Sequence, residues 1–458
     1  MKKIVFATVS LLIAAFTALA PASVFADGKS KLPPIETYII ERLKNFDKQI
    51  DVSDYAWEGK WGTDAPEKAN KIFAEVVTKN PDLFFVADED GVLCTSEYSA
   101  KKTGGTYLEL KCIIKGIHYA ITKEQYAAAE KKFQEALDRA LAVTNDDMSD
   151  VQKALALYDY LILNTSYDHS HKNFDAYDAL VGKSAVCNGY ALAYIYLLRE
   201  AGISAERVTS EKMNHAWVYV KIGDSYYHAD PTWDDPSFTY GEGVSAAKGK
   251  ERLGYVGHKN FLMSDEGIKK QGHHDWELSS SLPPASSTKY ENAPWVKAET
   301  AVVQRGKTLY FAELDEKSPG HNKNYESLKL SPEEFNQNYF RIYTDIKSYD
   351  LTTGKTADVY KIDSTWFGKE TENGGKPWWD GSYVCLAQSG GSLYFNTASG
   401  IYALSLADNS VRTIVEPELE KGVGIYGLTL ENGGIKYSVK ARPDDGDYNI
   451  RQIKIDEA

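Results

Sequence analysis

The most constraining feature of the chain is residues 185–236, where a cysteine, a histidine and an aspartate occur in an order and local setting that suit thiol chemistry. Cys187 opens an apolar periodic run in which Ala191, Leu192, Ile195 and Leu198 recur at helical spacing, with Gly202 as the stop. A cysteine in the first turn of a helix feels the positive end of the macrodipole and nearby free N–H groups, and both favour thiolate over thiol. Beyond Gly202 the period switches to two: residues 215–220 alternate, Gly223-Asp224 supplies a turn, and residues 225–230 return, which predicts a β-hairpin. If the hairpin centres on Gly223-Asp224, Asp230 faces Trp217, and His215 sits diagonally from Asp230 on the same side of the sheet. A carboxylate there can orient the imidazole. A lone cysteine or histidine is more often plain core, whereas three such residues in this order point to catalysis.

Three local motifs carry a resemblance. Ala185-Val186-Cys187-Asn188-Gly189-Tyr190, Asn214-His215-Ala216-Trp217-Val218 and His228-Ala229-Asp230-Pro231-Thr232-Trp233-Asp234-Asp235-Pro236 are similar to the motifs of the transglutaminase-like superfamily. The likeness covers residues 149–276, including Tyr167-Asp168 upstream and Phe261-Leu262-Met263-Ser264 downstream. It implies a papain-like fold and a Cys187, His215, Asp230 triad that forms a thioester and passes the acyl group to an amine or to water. Trp217 and Trp233 lie within the motifs and are candidates for substrate contact, and Tyr177 is a candidate second oxyanion donor beside the Cys187 backbone N–H. The remaining histidines, His169, His171, His258, His273 and His274, fit no standard zinc spacing. They read as surface or hydrogen-bonded side chains, and no metal or cofactor is expected. His228 reads as a structural strand residue.

A chain of 458 residues exceeds one domain's usual length, so two or three domains are expected. Residues 1–26 carry Lys2 and Lys3, an apolar run and small residues before a cleavage position, which is the pattern of a secretory signal peptide. No later apolar stretch approaches a membrane span, so the mature protein is expected to be secreted or held at the cell surface without a transmembrane helix. The net charge of −13 argues against nucleic acid as a partner and leaves protein or peptide, including cell-wall peptide, as the expected substrate. Four cysteines are too few for a disulfide scaffold. Cys187 is expected free and Cys385 buried. A hairpin centred on Thr103 would set Cys94 opposite Cys112, a placement that admits a disulfide.

Residues 27–148 read as a small α+β module. Ile35, Tyr38, Ile39, Leu43 and Phe46 form one helical face, Asp64 is placed to cap a second helix, and Leu83-Phe84-Phe85-Val86 reads as the start of a strand. Thr122 with Gln125, and Ser149 with Gln152, have capping-box spacing. Residues 149–277 hold the catalytic signature, and the Ser/Pro-rich residues 278–288 read as a linker between separately folding halves. In residues 289–458 three similar β-runs place Tyr310, Tyr394 and Tyr437 at separations of 84 and 43 residues, with an insertion at residues 317–339. That spacing suggests a partial propeller or a sandwich. The whole reads as an α+β protein with a papain-like transglutaminase core, acting as a cysteine acyltransferase or peptidase on amides. The alternative is a non-enzymatic surface-binding protein that keeps the fold as a scaffold.

Overall fold

The computed structural model describes residues 32–55, 65–87, 95–103, 106–237, 253–278, 282–318, 341–366, 383–420, 423–431, 433–440 and 449–455. The signal segment, Asp64, Cys94 and most of the expected insertion lie outside them. Among the described residues no helix is long and apolar enough to cross a membrane.

The N-terminal module is built from α1 (Ile35–Lys44), β1 (Ile50–Asp51), α2 (Ala65–Lys79), β2 (Val86–Ala87), β3 (Thr95–Thr103), β4 (Thr106–Lys115), β5 (His118–Tyr119) and α3 (Lys123–Leu141). The strand expected from Leu83 onward is largely absent. Residues Pro81–Leu83 form a 3-10 turn, and only Val86 and Ala87 pair, with Tyr119 and His118. Phe84 and Phe85 turn inward instead: Phe85 stacks on Phe46 at 5.0 Å, and Phe84 meets Phe133 at 5.1 Å and Tyr177 at 4.6 Å. Aromatic burial outweighs strand pairing here, since each ring removes a large apolar area from water. The β3–β4 hairpin forms, but its turn follows Thr103, which pairs with Thr106, and with a one-residue shift between Lys101 and Lys102 this puts Tyr98 opposite Cys112. Cys112 is buried and free. Both capping boxes are present, closing the N-termini of α3 and of α4 (Asp150–Asn164).

After α4 come β6 (Ser166–Tyr167), β7 (Ser184–Ala185), α5 (Cys187–Glu200), β8 (Ala205–Ser210), β9 (His215–Ile222), β10 (Ser225–Ala229) and β11 (Phe261–Met263). The last four form an antiparallel sheet in the order β11-β10-β9-β8. Gly202 takes φ 85° just past α5, the left-handed backbone that a glycine stop supplies. The β9–β10 hairpin pairs Ser225 with Ile222 and Ala229 with Val218, the register read from Gly223-Asp224. One face of the sheet, through Val218 and Val220, joins the large core that also buries α4 and α5. The other face carries Trp217 and Tyr219.

That second face is covered by the segment expected to be a free linker. Ala285 is buried against Val208, Trp217 and Tyr219, with Leu278 and Leu282 packed alongside. The Tyr219 hydroxyl donates to the Pro283 carbonyl at 2.7 Å and the Tyr227 hydroxyl to Ser287 Oγ at 2.7 Å. The linker expectation is therefore corrected over residues 282–288, which lie against the β8–β11 sheet and hydrogen-bond to it.

The C-terminal part contains three antiparallel meanders: β12 (Val303–Arg305) to β15 (Lys355–Thr365), β16 (Leu386–Ser389) to β19 (Val411–Val415), and β20 (Gly424–Glu431) to β22 (Asn449–Lys454). The three similar sequence runs fall on the second strand of each meander, Thr308–Leu314, Ser392–Asn396 and Gly434–Lys440. Their joint core includes Tyr255, from the catalytic half. The large core, in turn, runs from Ile39 to Phe311 and takes in Trp295, Ala298, Val302 and Leu309. Polar contacts cross the same seam: the Val302 N–H donates to Asp159 Oδ2 at 2.7 Å, and Gln152 Nε2 donates to the Gly306 carbonyl at 2.7 Å. A chain ended after Thr288 loses six side chains of this core, Tyr290 and Phe311 among them, each worth about 1.5–3 kcal/mol at the larger residues, against a usual total of roughly 5–15 kcal/mol. Such a fragment should show no cooperative thermal transition by circular dichroism. A melt within a few degrees of the full chain would mean that the halves are independent after all.

Candidate active site

Cys187 is the first residue of α5, after Val186 in extended conformation, and no acidic residue occupies the first turn. Its sulfur thus sits at the positive end of the helix, partly exposed. Gly189 makes this placement possible: a Cβ there would lie 2.6 Å from the Ala185 Cβ and 2.9 Å from the Asp175 carbonyl. Only a glycine lets the first turn pack this closely on the strand that feeds it.

His215 opens β9, and its Nε2 lies 2.7 Å from Asp230 Oδ2. The Cys187 side chain lies close enough to the same imidazole to act on its charge. With Nε2 committed to the carboxylate, the opposite ring nitrogen, Nδ1, is left for the sulfur. Burial works against a charge on His215, but Asp230 first and Cys187 second outweigh it and push its pKa up to about 10. Asp230 is fully buried, which alone would favour its neutral form, yet His215 and His273 hold it well below the usual carboxylate range. An ionised carboxylate only accepts, so both imidazole nitrogens that touch it carry the proton. Its second oxygen, Oδ1, accepts the N–H groups of Thr232 at 2.9 Å and Trp233 at 3.3 Å.

His273 is the residue that sequence reading missed. It was expected to be a surface or hydrogen-bonded side chain; it is fully buried, and its Nε2 lies 2.8 Å from Asp230 Oδ2, the oxygen that His215 also uses. His215, Asp230 and His273 also form a group of metal-ligating type, with donor atoms within 4.8 Å of one another. Two ligands about 2.0–2.1 Å from a tetrahedral ion stand roughly 3.3 Å apart. The 2.7 and 2.8 Å contacts are instead those of charge-assisted hydrogen bonds, so the donor set as arranged does not fit an ion.

The other aspartates of the motif are structural. The buried Tyr158 hydroxyl is shared between the Asp230 carbonyl and Asp234 Oδ2, each at 2.7 Å. Asp234 also accepts both the backbone N–H and the side-chain amide of Asn260 at 2.9 Å. Tyr190, from α5, donates to Asp235, and Asp235 accepts the Ser237 N–H at 2.7 Å. These bonds fix the turn that presents Asp230.

The expected contact residues divide. Trp217 is fully buried, so it cannot meet a substrate: it stacks on His215 at 5.6 Å and donates its indole N–H to His228 Nδ1 at 2.9 Å. Trp233 is half-buried and flanks His215 at 5.4 Å, on the accessible side of the pair. Tyr177 stacks on Phe84 and Phe133 in the seam with the N-terminal module. Tyr167 is the tyrosine in electrostatic reach of Cys187, and burial with the adjacent negative groups pushes its pKa up to about 12, so its hydroxyl keeps its proton. His228 is fully buried, bridging Trp217 and Asp265 as a strand residue.

The raised pKa of His215 has a defined sign. Its contribution to stability is fully present below about pH 6.5, the ordinary imidazole value, and is lost as pH rises through about 10. Asp230→Asn removes the largest raising influence and leaves burial, which lowers the value. NMR titration of the His215 Cε1 proton should find the ring still charged at pH 9 in the native protein and neutral by pH 8 in the variant. An unchanged titration would mean that Asp230 does not govern His215.

Residues 137–231 match the family model described as Transglutaminase-like superfamily. No curated protein sequence matches the chain. Among solved structures, one described as "a TGase" aligns at 14% identity and TM-score 0.21, covering 42% of this chain and 52% of that one. Another, described as "a Putative Cysteine Protease from Cytophaga hutchinsonii", aligns at 18% identity and TM-score 0.19, covering 31% and 63%. A third, described as a "putative protease" from Parabacteroides distasonis, aligns at 13% identity and TM-score 0.17, covering 31% and 37%. Each alignment spans less than two thirds of the other chain. The matched segment takes in Cys187, His215 and Asp230, so residues 137–231 of this chain form a domain of the transglutaminase-like superfamily.

Proposed function

We propose that this chain is an exported cysteine enzyme that forms a thioester at Cys187 from an amide of a protein or cell-wall peptide and passes the acyl group to an amine or to water. The observation that carries the reading is Cys187, at a helix start, in electrostatic reach of His215, which is hydrogen-bonded to a buried, ionised Asp230. The Cys187 thiolate attacks the carbonyl, and the C=O electron pair moves to oxygen. The backbone N–H of Cys187 is one donor to that oxyanion, and Tyr167, whose hydroxyl keeps its proton in electrostatic reach of Cys187, is the candidate for the second. The imidazolium gives the proton on its cysteine-facing nitrogen to the leaving amine as the C–N bond breaks. The incoming amine or water returns a proton to the same nitrogen, and the thiolate leaves. Asp230 holds the tautomer and offsets the positive charge. Export is supported by the pattern of residues 1–26, and the three C-terminal meanders, with the repeated run on the second strand of each, support a propeller-like arrangement.

Incubating the mature protein with a labelled amine and a glutamine-rich acceptor, while following ammonia and new N-termini, separates crosslinking from hydrolysis. Cys187→Ser should abolish both products. Asp230→Asn should fold but lose about 10² to 10³ in turnover. If its amide oxygen keeps the Thr232 and Trp233 N–H groups, its NH2 faces both imidazoles, and His215 must then carry its proton on the nitrogen beside the sulfur. Wild-type turnover in folded Asp230→Asn would reduce Asp230 to a strand-end residue.

A further inference from the structure

Arg207 lies on β8, opposite Val218 of β9, and its Nη1 donates to Asn188 Oδ1 at 2.6 Å. Asn188 follows Cys187 directly, and its own amide N–H donates to the Phe174 carbonyl at 2.9 Å, which fixes the side chain with its oxygen towards the arginine. The guanidinium is thus held beside the nucleophile. The chain carries 65 acidic residues and a net charge of −13, yet among the described residues no carboxylate forms an ion pair with Arg207. Arg42, Arg199 and Arg341 each have one, in Asp47, Glu206 and Asp363. Burial works against the charge of Arg207, and the Cys187 sulfur is the group that works in its favour. A guanidinium presents five N–H donors in a planar fork matched to a carboxylate. One donor is used here, on a neutral amide.

We propose that Arg207 is an anion-binding subsite that selects acyl donors carrying a carboxylate close to the amide attacked by Cys187. The inference rests on the thiol reading above and adds the substrate's chemistry: a peptide with a terminal or side-chain carboxylate beside the reacting carbonyl. The subsite explains a desolvated cation at the mouth of the site, where a carboxylate from the substrate completes the fork that Asn188 leaves open.

Two alkylating reagents of nearly equal size test it. Iodoacetate and iodoacetamide deliver the same carbon to Cys187 and differ in a carboxylate against an amide. Arg207→Gln should slow alkylation by iodoacetate about 10-fold or more relative to iodoacetamide, the scale of one charge-assisted hydrogen bond, and Arg207→Lys should restore part of the ratio. Equal slowing of both reagents would assign Arg207 to the thiolate and overturn the subsite, as would an unchanged ratio. If Cys187 of the native protein does not react with iodoacetamide, the thiol reading falls and the proposal with it. Peptides with a C-terminal carboxylate or with an acidic side chain beside an amide, each against its neutral counterpart, should protect Cys187 in the native protein, and the pair that loses its difference in Arg207→Gln identifies the source. Equal protection by charged and neutral peptides would again overturn the subsite.

Discussion

The structure depends on one buried negative charge. Removing a carboxylate from water costs several kcal/mol unless hydrogen bonds replace its hydration. Asp230 recovers that cost with four donors, two imidazole N–H groups on one oxygen and two backbone N–H groups on the other. These donors come from distant parts of the chain. His215 requires β9 in register with β10, His273 requires the short helix Asp265–Lys270 to end where it does, and the two N–H groups require the turn locked by Tyr158 and Tyr190. A misplaced element would leave the charge with an empty coordination position, so the carboxylate disciplines its surroundings as much as it serves the imidazole.

Much of this was legible in the sequence, for physical reasons that differ by residue. The β9–β10 register follows from a two-residue turn, because side chains alternate with period two and a turn fixes which residues face each other. The start of α5 at Cys187 and the stop at Gly202 follow from periodicity and a left-handed glycine, and the capping boxes from two pairs of residues three apart. His273 was not legible. It stands 43 residues from its partner Asp230, outside any periodic run, and next to His274, which is exposed and pairs with Asp275. Nothing local separates the two histidines. The Cys94 and Cys112 pairing failed because the turn follows Thr103, which pairs with Thr106, instead of centring on it, and one irregularity at Lys101/Lys102 adds a further residue of shift. The docking of residues 282–288 was hidden because it acts through backbone carbonyls such as that of Pro283, which composition does not reveal.

Beside its shared apolar core, the seam between the Cys187-bearing half and the β-rich half is crossed by buried polar groups. Asp159 on α4 accepts from His258 at 2.8 Å and from the Val302 N–H, while His258 bonds the Ala298 carbonyl through its other nitrogen. Leu428 donates to the Leu253 carbonyl, and a Cβ on Gly254 would lie 2.2 Å from the Leu428 oxygen. The meanders thus meet the core backbone to backbone, and one of these contacts lies eighteen residues beyond Asp235, the last aspartate of the catalytic motif.

His215 stacks on two indoles, Trp217 at 5.6 Å and 22° and Trp233 at 5.4 Å and 29°. The faces of both rings carry negative potential, so these contacts favour the imidazolium. A charged imidazole beside excited indole withdraws emission that a neutral one leaves. Trp217 and Trp233 are therefore built-in optical reporters of the charge on His215, readable in real time without a label.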